Sequence, residues 1–334
     1  MGALYTEERF VAELAVQRAS LLTKRVIASI DKGALDKSDR TPVTIADFGA
    51  QALLIGAVHH NFPDDTFIGE ETATVLRENE PLRSRIWDLV STTKLEDAEL
   101  EGRLGAISSP EEMMDTIDLG QGTGGRKGRV WMLDPVDGTA TFMRGQQYAV
   151  CLALVEDGEQ RVGVIGCPNL DLSTGKITET KTDAKGSGYM LSAVRGQGAA
   201  IRRLGSGALQ QSQPVTKRED ISQDSTGLDF VESCASKSVD LETHRKVAGK
   251  MGSPWPGTDL WSSQMRKRGH KSYVWDHAGG FLIYEESGGK VTDLDGKPID
   301  FGAGRRFENN SEMVAAPHKA QARILELTRQ VMGA

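Results

Sequence analysis

The residues of this chain best placed to do chemistry are Asp134 and Asp137, two carboxylates three positions apart in WMLDPVDGTATF. An apolar run, Val130 to Leu133, leads into them and reads as a strand; Pro135 breaks its ladder, and Gly138-Thr139 opens a helix-like stretch. A turn at that point projects both acids from one edge, where they can share hard cations. Mg²⁺ prefers such oxygen ligands and keeps coordination places for water and phosphate. Gly138, Thr139 and the next backbone N–H groups face the same space, and a helix start favours an anion there. Metal-assisted phosphate chemistry is one reading. Taken alone, the six residues are equally well an Asp-Pro turn with a threonine cap.

Two further acids stand at comparable edges. Glu70 follows Phe67-Ile68-Gly69, and Asp276 follows Tyr273-Val274-Trp275. An acid at the end of an apolar strand is costly unless it is paired, capped or bound to metal. Plainer roles exist for each neighbour. Asp276 can cap a helix starting at His277, His277 itself can pack at that helix start, and Glu71 reads as a solvated strand end. Asp47 reads as a favourable charge on the first turn of a helix. His59 and His60 have no acidic partner at ligand spacing and read as structural or solvated.

These positions need elements to hold them. Phe10, Val11, Leu14, Leu21, Leu22, Val26 and Ile30 recur near helical spacing and predict an amphipathic helix over 6–31. Pro42-Val43-Thr44 reads as a short extended lead-in, with Thr44 capping a second helix from Ile45 to about His60. Residues 66–69 predict a strand. Helices are expected near 82–97 and 109–118, and a Gly-rich stretch fills 119–128. Tyr148 to Glu156 and Arg161 to Cys167 predict a hairpin through Asp157-Gly158. Tyr189 to Val194 predicts another strand, and helices follow near 240–251, 278–287 and 318–332. Strands and helices interleave without βαβ regularity, so the fold class is α+β and layered rather than doubly wound.

Composition narrows the setting. The 334 residues suit two domains or one large layered one, and a net charge of −7 argues against a dedicated nucleic-acid surface. Cys151, Cys167 and Cys234 are odd in number without a CxxC pair, which suggests a reducing, cytoplasmic setting without disulfide or zinc. No apolar run reaches membrane-spanning length. Met1 to Thr6 formally matches an N-myristoylation pattern, but Thr6-Glu7-Glu8 is better explained as a helix start. The expected partner is a small nucleotide, with no nucleic-acid polymer and no membrane, and the chain is expected as a monomer or weak homodimer.

Taken together, IGEE, WMLDPVDGT and WDHAGG, in that order, resemble the signature of the lithium-sensitive, Mg²⁺-dependent inositol monophosphatase superfamily. TPVTIAD, GGRKGR, FMRGQQYAVCLALVEDG, IGCPN and AVRGQGA look like its 3′(2′),5′-bisphosphate nucleotidase branch. The likeness runs from the first helix nearly to the C-terminus. It implies a layered α-β-α-β-α sandwich of the inositol monophosphatase and fructose-1,6-bisphosphatase type. It implies an N-terminal domain over 1–160 and a C-terminal one over 161–334. It also implies that Glu70, Asp134, Asp137, Asp276 and the carbonyl of Val136 hold Mg²⁺, while Asp47 pairs with Thr139 to activate water. Gly138, Thr139, Ser263 and Asp276 would meet the substrate.

The chain departs from that pattern after Trp261-Ser262-Ser263-Gln264. Only MRKRGHKSYV separates Gln264 from Trp275, where relatives place a helix, a strand and basic residues. A helix and a strand each need about five residues or more, so a helix–strand unit near 265–274 is expected to be missing. Its loss should expose apolar faces and an unpaired edge. VESCASKS (231–238) also lacks the histidine of relatives, and Lys267 or Arg268 is the candidate to substitute in part for the lost basic residues, without a fixed alignment. Three functions follow. The first is hydrolysis of the 3′-phosphate of adenosine 3′,5′-bisphosphate, with 3′-phosphoadenylyl sulfate as a further substrate. The second is an inositol- or sugar-phosphate phosphatase on the same machinery. The third is a weak or inactive variant.

Overall fold

The computed structural model describes residues 4–31, 41–217, 221, 222, 224–232, 240–259, 272–310 and 312–333. Helix α1 spans Thr6–Asp31 and α2 spans Thr41–Asn61. Helix α2 starts earlier than the Ile45 expected from Thr44 as a cap. Pro42 falls in its first turn, where a missing N–H loses no helical bond, so Thr44 lies inside the helix. Strand β1 (Thr66–Gly69) follows, then α3 (Thr74–Glu78), α4 (Glu80–Thr92), α5 (Ala98–Arg103) and α6 (Pro110–Asp118). Helices α3 and α5 are too short to show a hydrophobic period. Asp97 starts α5 by accepting from the N–H groups of Glu99 and Leu100.

Strand β2 (Arg129–Asp137) leads through the single turn α7 (Thr139–Phe142) to β3 (Ala149–Glu156), β4 (Glu159–Cys167), β5 (Tyr189–Val194), β6 (Ala199–Arg203) and β7 (Gln213–Pro214). Strands β1 to β7 form one sheet in sequence order, with β1 parallel to β2 and every later neighbour antiparallel. Asp157 (φ 53°) and Gly158 (φ 81°) make the left-handed turn of the expected β3–β4 hairpin. The division placed at residue 160 therefore falls inside a continuous sheet. The first unit's sheet runs on to Pro214, because β4 is hydrogen-bonded on both sides.

Beyond the sheet come β8 (Val231–Glu232), α8 (Leu241–Lys250), β9 (Thr258–Asp259), α9 (Ala278–Glu286), β10 (Gly289–Asp293), β11 (Met313–Pro317) and α10 (Gln321–Met332). Strands β10 and β11, which periodicity does not reveal, pair antiparallel; β8 and β9 pair parallel over two residues. Helices α1 and α2 cover one face of the large sheet, and α9 covers the other. Helix α9 also packs on β10, and α10 packs on β11 and α8. The order is thus the α-β-α-β-α layering expected.

Alternation along β2 divides the core. Trp131 and Leu133 join the cluster under α1 and α2, whereas Val130 and Met132 join Val274, Trp275, Ala278 and Phe301 on the α9 side. Strand β2 is buried on both faces, which explains its nearly continuous apolar run. The segment suspected of a lost unit lies mostly outside the described residues, 260–271 among them. Beside it, the large apolar side chains left exposed are Val231 at 42% and Tyr273 at 36%. The Tyr273 ring is nevertheless stacked on Trp275 and covered by Arg306.

Helix α9 meets β4 backbone to backbone. A Cβ on Gly163 would stand 2.8 Å from the Gly279 carbonyl oxygen and 3.1 Å from its Cα. Gly163→Ala must push α9 off the sheet and is expected to cost about 1–3 kcal/mol. Urea or thermal unfolding measures this, and an unchanged midpoint would contradict the close approach.

Candidate active site

The parallel pairing of β1 and β2 sets Gly69 beside Leu133, so Glu70, just past the end of β1, and Asp134, still paired with β3, are neighbours. The same alternation turns Asp134 toward the α9 side, where Asp276 immediately precedes His277 and the helix. Pro135 does not end β2, as the sequence suggested. It sits in a register shift between Asp134 and Asp137, a bulge that dispenses with its missing N–H and carries the strand on to Asp137. Within the bulge the Val136 N–H donates to Asp134 Oδ1 at 3.1 Å. Gly138 follows at φ 93°, a left-handed conformation that a side chain would strain. Helix α7 is a single turn, so its macrodipole is small.

Electrostatics identifies what these elements bring together. Asp134 is 3% exposed, and burial raises its pKa well above the usual carboxylate value. Repulsion from Asp137, Glu70, Asp276 and Asp47 adds to that shift, in decreasing order. Burial also raises Glu70, although a hydrogen bond with Asp134 opposes the shift. Glu70 as a whole is exposed to solvent, so its shift is smaller in consequence than that of the buried Asp134. Burial and then Glu70 push Glu71 up to about 7. Asp47 is raised well above its ordinary value by burial first, then by Glu71 and Glu70.

This is an all-oxygen donor set of mutually repelling acids. Asp47 Oδ1 is buried without a hydrogen-bond partner. Among the described residues no three of these side chains stand, as placed, in a group that could hold a metal ion. The chemistry of the set fits a hard divalent cation, which would replace repulsion by shared attraction.

Several expected details differ. Thr139 does not bond to Asp47; its hydroxyl donates to the Val136 carbonyl at 3.5 Å, a long and weak contact. Asp47 is not on the first turn of α2, because that helix begins at Thr41, and it is 6% exposed rather than solvated. Asp276 is not the cap of α9. His277 holds that position, stacked on Phe281 at 4.9 Å and tilted against Phe307 at 5.6 Å. Glu71 is no simple solvated end. Ser263 and Cys234 lie outside the described residues, as do Lys267 and Arg268. Arg129 of the basic GGRKGR run is structural, binding Asp65 and Glu8.

Gln51 was missed. It is fully buried one helical turn after Asp47, and its amide clasps the chain beside the acids. Its Nε2 donates to the Glu71 carbonyl at 2.8 Å and the Ile117 carbonyl at 3.0 Å, while Oε1 accepts from the Glu71 N–H at 3.0 Å. The i, i+4 spacing from Asp47 was the available signal.

Raised carboxyl pKa values have a definite sign. An acid that binds its proton more tightly when folded loses stability as pH rises from its unfolded to its folded pKa. For Glu71 that window runs from 4.5 to about 7. In EDTA the melting temperature should therefore fall across it, and Glu71→Gln should flatten the fall. A melting temperature independent of pH over that range would refute the clustering.

A profile of the inositol monophosphatase family matches residues 5–332. A protein of Emericella nidulans named 3′(2′),5′-bisphosphate nucleotidase is 41% identical, covering 98% of this chain and 99% of its own. One of the same name from Schizosaccharomyces pombe is 39% identical over 98% and 96%. The alignment with the first spans 354 residues, more than this chain contains, so that relative carries residues this chain lacks. An inositol monophosphatase from Anabaena shares the fold with a TM-score of 0.57 at 16% identity, over 98% of this chain and 97% of that one. The chain belongs to the inositol monophosphatase family, whose members are metal-dependent phosphatases.

Proposed function

We propose that the chain is a bisphosphate nucleotidase that removes the 3′-phosphate of adenosine 3′,5′-bisphosphate to give AMP and phosphate, with Mg²⁺ as cofactor. By the same chemistry it accepts 3′-phosphoadenylyl sulfate. The observation that carries this reading is the convergence of Asp137, Glu70, Asp276 and Asp47 on the buried Asp134. The 41% identity to a named bisphosphate nucleotidase supports the substrate class.

Glu70, Asp134, Asp137, Asp276 and the Val136 carbonyl would hold the cation. Bound Mg²⁺ supplies charge for the phosphoryl oxygens and lowers the pKa of water. The residues of the chain do the remainder. Asp47, with its open Oδ1, is the acceptor that a Thr139 hydroxyl needs if that hydroxyl is in turn to take a proton from water. The bulge holds Asp134 and Asp137 on one edge, and Gly138 lets the backbone turn close beside them. Ser263 is proposed to meet the nucleotide. The substrate is a small molecule rather than a polymer, since the chain carries a net charge of −7. No described helix is long and apolar enough to cross a membrane. Buried free Cys151 and partly buried free Cys167 support a cytoplasmic, reducing setting, and the chain is proposed to act as a monomer or weak homodimer.

Purified protein should release phosphate from adenosine 3′,5′-bisphosphate with Mg²⁺, lose that activity in EDTA, and be inhibited by Li⁺. It should turn over inositol 1-phosphate far more slowly. Asp134→Asn should lower kcat on the order of 10²-fold or more. Equal rates in EDTA would sink the metal mechanism, and faster turnover of inositol 1-phosphate would overturn the nucleotide assignment.

A further inference from the structure

Arg305 touches both sides of the acid cluster. Its Nη2 donates to the Gly69 carbonyl at 2.6 Å, and its Nη1 donates to the carbonyls of Gly120 at 3.0 Å and Gly122 at 3.1 Å. The Gly69 carbonyl belongs to the peptide that joins Gly69 to Glu70. The same guanidinium lies 4.7 Å from the centroid of the Trp275 ring, and Trp275 is bonded to Asp276. The backbone is tied as well, since the Val274 N–H donates to the Arg305 carbonyl at 3.1 Å.

Trp275 is itself held in a stack. Tyr273 lies parallel to it at 4.4 Å, and the Arg306 guanidinium sits 4.2 Å over Tyr273. Each ring gives one face to the other, so the two guanidiniums cover the outer faces. The column runs Arg306, Tyr273, Trp275, Arg305, and it ends on the peptide before Glu70. Among the described residues no carboxylate acts on Arg305, whose charge is disfavoured first by burial. Three of its N–H groups donate to carbonyls, and its planar face lies on an indole. Lysine could not do both, because a single ammonium has neither the fork nor the stacking plane.

We propose that Arg305 is a positioning residue for metal binding, setting the spacing between Glu70 and Asp276 by holding the peptide before one and the ring before the other. Glu70 stands at the edge of the large sheet and Asp276 at the start of α9, so the two acids come from different layers. Arg305 is the side chain that grips the backbone of one and the aromatic neighbour of the other. The inference rests on the metal reading of the site.

The test is calorimetric titration of metal-stripped, full-length protein with Mn²⁺, comparing the wild type with Arg305→Met and Arg305→Lys. Both variants should bind Mn²⁺ about tenfold more weakly, as loss of a supporting contact to metal ligands does. The Mg²⁺ concentration for half-activation should rise by a similar factor, while kcat at saturating Mg²⁺ stays within about threefold. A purely structural role would lower the melting temperature and leave the Mn²⁺ affinity of the folded protein unchanged. If the methionine variant does not fold, the lysine variant decides. Unchanged Mn²⁺ affinity in a folded variant overturns the role of Arg305 alone. A wild type that binds no Mn²⁺ overturns this role and the metal reading together.

Discussion

Repulsion between carboxylates held out of water is the constraint around which this molecule is arranged. Asp134 is buried with four other acids in range, and each raises the cost of ionising it. On a loop such groups would separate into solvent. Here they cannot, because the backbone that bears them is fastened by unrelated bonds. The Gln51 amide fastens the chain after Glu70, and the bulge at Pro135 fastens Asp134 and Asp137 to β3. The strain is electrostatic, and a divalent cation is the natural way to relieve it.

The fastening begins at the far end of the strands. Asp65, just before β1, accepts from Arg129 Nε at 2.8 Å and from Trp131 Nε1 at 2.8 Å. Phe62 stacks on the Trp131 ring, and Arg129 covers Phe62 at 5.4 Å. These contacts pin the start of β1 to the start of β2. Because a strand pair keeps its register along its length, pinning one end sets which residues meet at the other. Glu70 and Asp134 are neighbours for that reason, though nothing near them in sequence requires it.

Much of this was legible from residue order alone. Helix α1 and strands β1 and β5 have the ends that periodicity and flanking turns predict, and the β3–β4 hairpin follows from Asp157-Gly158. The acids were visible because each interrupts or ends an apolar run. What stayed hidden depends on long-range packing. The start of α2 turned on whether Pro42 sits inside a first turn or before it, which local preference does not decide. The sheet crossing residue 160 could not be seen, since a hairpin reads the same within a domain and at its border. Gln51 and Arg305 act through bonds to backbone carbonyls far away in sequence, and no local pattern marks such partners. The expected bond between Asp47 and Thr139 came from the family likeness, and the structure has the hydroxyl turned to Val136 instead.

The contact of Gly163 with Gly279 bears on how closely the layers that carry the acids can approach. Two main chains meeting without side chains between them form a hard stop, with no compressible or rotatable group to yield. The closest distance between the sheet that bears Asp134 and the helix that follows Asp276 is therefore set by main chain alone, and no choice of rotamer can shorten it.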